Sequence, residues 1–476
     1  MLLALAGTIW RTAKDSIPLA ELVSQARRAL ADAQYEEVEA LCRRALERDP
    51  HFSAALLLAA EAAAKQGRLD EAVKYYGRVP ADNPAEAAEA RLAAANLLLN
   101  ANRAAAAERA LKECLACDPH RRDAHERLAW LLTIEGRRFE SLPHLYELLH
   151  RNRFTVSWLM AAGNHDEAVS EEPRLQAFRA AEPDQVLPLI GLARVELRNK
   201  KNPTKAREFL VGVLAEIPEQ SEGQALLGVT LWEMGDHDAL DAWQRGLPAS
   251  AQEHPDVWLV RGYLSKDAND LRGAARCFWE ALRRDPNHQA ATFQLSQVLQ
   301  SLSADTSDVN FLAERARQLE ELAETLFDLR LRPGELRLIE RAALLTESLG
   351  RPWEAQGWYT VAESFSPGAD WILEGMARVE SVSPSADAML ADRDPGRRLD
   401  LTGYPLPRVA DERASPHTID SAAALSTAAT FRELAAEVGI DFVYFRGCEP
   451  GQSDGRMFQF TGGGAAVLDY DLDGWP

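Results

Sequence analysis

Three aspartates at alternate positions, Asp469, Asp471 and Asp473, followed by Gly474, are the strongest chemical signal in the sequence. Hard oxygen ligands at this spacing, with a glycine for the sharp turn, are the arrangement that wraps around Ca2+. A plain surface turn rarely concentrates that much like charge. Such a loop takes a further carboxylate at its ninth position, which is residue 477, and the sequence ends at Pro476. The calcium site is therefore expected to be incomplete, and calcium affinity weak or absent. Cys114 and Cys117 form a lone Cys-x-x-Cys, with neither a second pair nor a following histidine. That spacing alone is a weak sign of metal or redox chemistry, and Cys114 reads as a small core residue. Nucleophile elbow, phosphate loop, His-Glu-x-x-His and dinucleotide fingerprint are all missing, and the ten histidines are scattered. The chain is expected not to be an enzyme.

The rest of the sequence must supply the elements that carry these residues. Ala and Leu dominate and aromatic residues make up 7%, a profile suited to helices closed by short turns. Fifty-three Lys and Arg against 73 Asp and Glu give a formal charge of -20. A surface of that sign repels phosphate backbones, so nucleic acid is not an expected partner. Residues 1–18 open with ten apolar positions and then Arg11 and Lys14. A bilayer span needs about 20 apolar residues, so this stretch is either a fraying end or what remains of a clipped membrane anchor. Membrane association is expected only through such an anchor.

Periodicity organises residues 19–382. Pro50, Pro84 and Pro119 recur at 34 and 35 residues. With each proline at position 32 of a unit, position 8 is small, 15 is a turn former, 20 is small and 24 is bulky. Ala60, Gly67, Ala72 and Tyr76 fit that frame, as do Ala95, Asn102, Ala107 and Leu111, then Gly262, Asn269, Ala274 and Phe278, and Ala343, Gly350, Ala355 and Tyr359. Small residues at 8 and 20 let two helices cross closely, and 24 fills the space left. Register is poor near 154–184 and 300–335, where irregular or longer helices are expected.

These units resemble the tetratricopeptide repeat family, which implies a mainly α, superhelical solenoid of stacked helix pairs with a concave groove for protein or peptide ligands. First-helix positions 5, 9 and 12 face the groove in that family. Here they select Glu61, Asn96, Leu99, Glu126, Trp130, Thr133 and Tyr263 as partner-binding candidates, with Trp130 and Tyr263 as aromatic anchors. The repeat array itself calls for no cofactor.

Residues 383–430 are punctuated by Ser-Pro, Asp-Pro-Gly, Tyr-Pro-Leu-Pro and Ser-Pro-His, and read as an extended linker lying over the repeats. From Phe431 a short helix or turn leads to an alternating run through Val443, Tyr444 and Phe445, a Gly-rich turn and the acidic loop. Residues 431–476 resemble the first blade of an FG-GAP/VCBS-type calcium-binding β-propeller, in particular that of ASPIC/UnbV-type proteins. The resemblance implies calcium-ligand roles for Asp469, Asp471 and Asp473 and a role in recognition or adhesion at the cell envelope or outside it. The expected function is an interaction scaffold carrying such a propeller, of which only the start is present. The alternative is a cytoplasmic adaptor with a vestigial tail.

Overall fold

The computed structural model describes residues 17–164, 171–382 and 388–407. The expected blade at 431–476, with Asp469, Asp471 and Asp473, lies outside the described residues, as does the apolar start of the chain. Among the described residues every regular element is a helix, and no helix is long and apolar enough to cross a membrane.

The helices come as hairpins. α1 (Leu19–Ala31) packs on α2 (Tyr35–Arg48), α3 (Ser53–Lys65) on α4 (Leu69–Gly77), α5 (Pro84–Asn100) on α6 (Ala104–Cys117), and α7 (Arg122–Ile134) on α8 (Arg138–His150). Two helices follow outside this scheme, α9 (Val156–Gly163) and α10 (Glu172–Ala181). Hairpins then resume: α11 (Pro188–Arg198) with α12 (Pro203–Glu216), α13 (Ser221–Met234) with α14 (His237–Gly246), and α15 (Pro255–Asp267) with α16 (Leu271–Arg284). The last are α17 (Gln289–Ser301) with the 26-residue α18 (Thr306–Leu331), and α19 (Leu336–Ser348) with α20 (Pro352–Phe365). α21 (Asp370–Val382) covers α20, and the short α22 (Pro395–Arg398) lies on α16.

Each hairpin turns through a residue with positive φ. Gly67 (76°), Asn102 (59°) and Asn269 (57°) suit that conformation, whereas Ala33 (58°), Lys201 (54°) and Ser303 (53°) adopt it against the preference of residues bearing a Cβ. Aspartates cap several second helices: Asp236 accepts from the Ala239 amide at 3.1 Å and Asp270 from Gly273 at 2.9 Å. At the helix crossing, a Cβ on Gly262 would stand 2.3 Å from the Phe278 ring. The position-8 residue is small because the position-24 side chain occupies the space. Cys114 is buried at its crossing and its thiol donates to the Ala88 carbonyl at 3.2 Å; burial pushes its pKa up to about 11, which keeps it a protonated, unreactive core residue.

The stack does not only join neighbours. One core brings Leu142, Leu145, Leu149 and Leu159 of α8 and α9 against Leu322, Leu326, Trp358 and Tyr359 of α18 and α20. Arg351, 1% exposed, donates to the Ala162 carbonyl at 2.8 Å across this contact. The later hairpins therefore return to α8 and α9, and α8 is shared between two packing partners. A strap of residues 388–407 then runs from α19 to α16. The Leu390 amide donates to the Gly350 carbonyl at 2.8 Å, and the Arg276 guanidinium donates to the carbonyls of Leu401, Thr402 and Tyr404 at 3.3, 2.9 and 3.2 Å.

Candidate functional site

The seven groove candidates fall into three places. Glu61 is exposed on α3, in the stretch where α1 to α4 pack on their neighbours in the stack. Asn96 on α5 is half-buried and accepts from Arg127 Nε on α7; beside it on α7, Glu126 accepts from Arg122 at 2.7 Å. Leu99 and Trp130 are half-buried against the core that contains Leu175 and Phe178 of α10. Phe178 meets the Trp130 ring edge-on at 6.3 Å, and the Arg174 guanidinium lies 5.8 Å from its centroid. Arg174 also donates to Asn102 at 3.1 Å, and Glu182 accepts from the Ala105 amide at 3.0 Å. Thus α10 covers the α5 and α7 end of the candidate groove. Thr133 is buried, at 9% exposure. Tyr263 stands apart on α15, stacked on Trp232 of α13 with centroids 4.9 Å apart.

Two buried ionic groups lie where the early and late hairpins meet, and sequence reading singled out neither. In the first, Arg137 at the α7–α8 turn reaches both oxygens of Glu108 at 2.6 and 2.9 Å, Glu135 at 3.0 Å and Glu140 at 2.6 Å. Burial opposes ionisation of Glu108, but Arg137 and Lys112 hold its pKa near 2. Burial pushes Glu135 the other way, to about 7, because the one guanidinium beside it is already shared with two other carboxylates.

In the second, the first turn of α8 is seated on α11, α13 and α15. A Cβ on Gly136 would lie 2.9 Å from the Gly191 Cα, so the turn before α8 touches α11 backbone to backbone. Glu222 Oε2 accepts the Phe139 amide at 3.1 Å, and its Oε1 accepts from Arg194 at 2.8 Å. His254 and His288 occupy the N-cap positions of α15 and α17, and His288 Nε2 lies 2.7 Å from Asp256 Oδ1. Burial works against both carboxylates, yet His254 and Arg194 hold Glu222 below its ordinary pKa, and His288 with His254 holds Asp256 well below the carboxylate range. The signal that could have pointed here is spacing: Gln220, His254 and His288 recur at 34 residues, each capping the helix that follows it. No group of three or more His, Cys, Asp or Glu among the described residues is arranged to hold a metal ion.

The hairpins, their small-on-bulky crossings and the left-handed turns between them define a helical repeat protein. Residues 29–97 match the tetratricopeptide repeat family. Solved structures with similarity include a tetratricopeptide repeat protein from Parabacteroides merdae, with 14% identity over 59% of this chain and 98% of that one and a TM-score of 0.25. The P58(IPK) TPR domain has 15% identity over 76% and 97%, with a TM-score of 0.24. The Cut9–Hcn1 hetero-tetramer of APC/C has 12% identity over 76% and 90%, with a TM-score of 0.26. Likenesses of this size bear on neither activity nor partner. No curated protein matches the chain.

Proposed function

We propose that the chain is a non-enzymatic protein-interaction scaffold that receives its partner on the first helices α1 and α3 of its N-terminal hairpins and on α5 around Asn96 rather than at Leu99, which packs toward α10. The observation that carries this reading is the division of the candidate groove: Glu61 on α3 is exposed, whereas Trp130 and Leu99 pack toward α10. The family match runs from the end of α1 into α5, and stacked repeats of this type present one extended face for a peptide or helix. Photocrosslinking side chains placed in the full chain at Glu61 and Asn96, with Glu47 on α2 as the outer-face control, test it. Capture of one protein from the first two sites and not from Glu47 is expected; equal capture from all three sinks the assignment.

In the same reading residues 431–476 begin a calcium-dependent recognition propeller, with Asp469, Asp471 and Asp473 as ligands. Its support is the Asp-x-Asp-x-Asp-Gly spacing and the strand pattern ahead of it. Calcium titration by calorimetry is expected to give weak or no heat with this chain. Micromolar binding that disappears in Asp471→Asn would show instead that three carboxylates suffice.

A further inference from the structure

A cavity of about 370 Å³ opens between α8, the end of α16, the turn into α17 and the strap. The strap forms one wall through Met389, Asp394, Gly396 and Arg397; Tyr146, Arg283 and Asn287 form the other. The strap wall is held close, because a Cβ on Gly396 would stand 2.8 Å from the Arg283 Cα. Beneath the cavity lies Arg315 of α18, 3% exposed. Its hydrogen bonds among the described residues all end on uncharged acceptors. These are the carbonyls of Pro286 at 3.1 and 3.2 Å and of Leu349 at 2.9 Å, Asn287 Oδ1 at 3.0 Å and Met389 Sδ at 3.7 Å. Pro286, Asn287 and Met389 also line the cavity, so a single layer of neutral dipoles separates this buried charge from it.

We propose that the cavity is a receptor for a small oxyanion of phosphate or carboxylate type, gripped by Arg283, Arg397 and the Tyr146 hydroxyl, with Arg315 supplying positive charge from below. The surrounding charges favour an anion. Arg283 shares the one carboxylate of Glu280 with Arg276 and Arg284, at 3.2, 2.9 and 2.8 Å. Arg397 meets Asp394 Oδ2 at 3.3 Å, and Asp394 Oδ1 accepts the Gly396 amide at 2.8 Å, so this carboxylate is committed to the strap's own turn. Asp285 accepts the Asn287 amide at 2.9 Å. These carboxylates are already engaged, and Arg315 is hydrogen-bonded to none of them.

A buried guanidinium without a counter-ion is costly. Burial and then Arg351 draw the Arg315 pKa down to about 10, with Asp394 and Asp285 acting against them from beyond hydrogen-bond distance, so the charge is kept at neutral pH. An oxyanion in the cavity offsets it through a region of low dielectric and displaces none of its present acceptors. Guanidinium forks suit phosphate and carboxylate through paired, charge-assisted hydrogen bonds. Burial pushes the Tyr146 pKa up, which keeps its hydroxyl a donor. The volume is that of a small-molecule site and leaves room for a phosphorylated or polycarboxylic compound. Because the walls come from distant parts of the chain, the bound anion ties the strap to α8 and α16.

Calorimetric titration of the full chain with inorganic phosphate and with citrate, each against a chloride blank of equal ionic strength, tests the receptor. Saturable heat from at least one of them is expected; phosphate alone identifies a phosphoryl ligand and citrate alone a polycarboxylate. Amide exchange of strap residues 389–399, with α3 as internal reference, gives the second readout. At about ten times the measured Kd, strap protection should rise about tenfold relative to α3. The double variant Arg283→Gln with Arg397→Gln changes two exposed side chains and should lose both the heat and the rise while α3 keeps its wild-type protection. No heat beyond the chloride blank with either anion, undiminished binding in the double variant, or an equal gain in α3 and the strap overturns the proposal. If the double variant loses α3 protection as well, Arg397→Gln alone serves, and binding there as tight as in the wild-type chain overturns the proposal equally.

Discussion

Replacing Glu135 by glutamine should stabilise the α7–α8 hairpin at pH 8 and leave it nearly unchanged at pH 5. Glu135 is 1% exposed, and its neighbours Glu108 and Glu140 already engage Arg137. Its folded pKa of about 7 exceeds the ordinary 4.5. Between those two values the folded carboxyl carries a proton that the unfolded one has released, so stability falls as the pH rises through the window. At about 1.36 kcal/mol for each pH unit the whole loss amounts to about 3 kcal/mol, complete above pH 7. Glu108 has the opposite sign and a separate window, from about 2 to 4.5, so the two effects do not overlap. Glutamine is the uncharged analogue of the protonated acid and has no such dependence. Exchange of the α7 and α8 amides at pH 5, 6, 7 and 8, corrected for intrinsic rates, gives the local opening free energy in both proteins. A difference of about 3 kcal/mol appearing only at the alkaline end is expected. A difference that is the same at pH 5 and pH 8, or a variant weaker than wild type at pH 8, would refute the reasoning.

Ala33→Gly and Ser303→Gly relieve left-handed turns and should each raise the unfolding free energy read from a urea titration by about 0.5–1 kcal/mol, after the extra freedom glycine gives the unfolded chain. Gly262→Ala drives a methyl group into the Phe278 ring and should cost about 1–3 kcal/mol; the double variant with Phe278→Leu should recover most of it, and no recovery would mean that the strain lies elsewhere. Arg276→Ala removes the donor shared by three strap carbonyls, and cleavage by a protease within 399–407 should quicken about tenfold, the consequence of losing ~1.4 kcal/mol of local protection.

Much of the repeat was legible because its constraints are local. Gly67 and Asn102 advertise a left-handed turn, and Gly262 with Phe278 advertises a close crossing, since in each case one residue type satisfies one backbone or one volume requirement. Ala33, Lys201 and Ser303 make the same turn with residues that carry no such signature. The groove candidates were harder. Counting positions 5, 9 and 12 from the frame finds the inward face of a first helix, but it cannot say what comes to lie on that face. Trp130 meets α10, whose Arg174 and Phe178 are more than forty residues away in sequence, while Glu61 stays exposed on α3.

The same limit explains why the buried charges went unread. In an open stack each hairpin touches only the next, so charged residues at the start of a first helix belong on a solvated face. Here α8 departs from that rule, because its first turn is received by α11, α13 and α15 and its length is packed by α20. Closure converts the inward face of the later hairpins from a surface into an interior. Glu222, Asp256, His254 and Arg194 then have to satisfy one another instead of water, and their positions are fixed by that requirement. Among the described residues the first helices α1 and α3 show no comparable closure, whereas α5 meets α10 at Leu99, so the surface proposed for an outside partner and the surface filled by the chain's own helices lie in different parts of one repeat array.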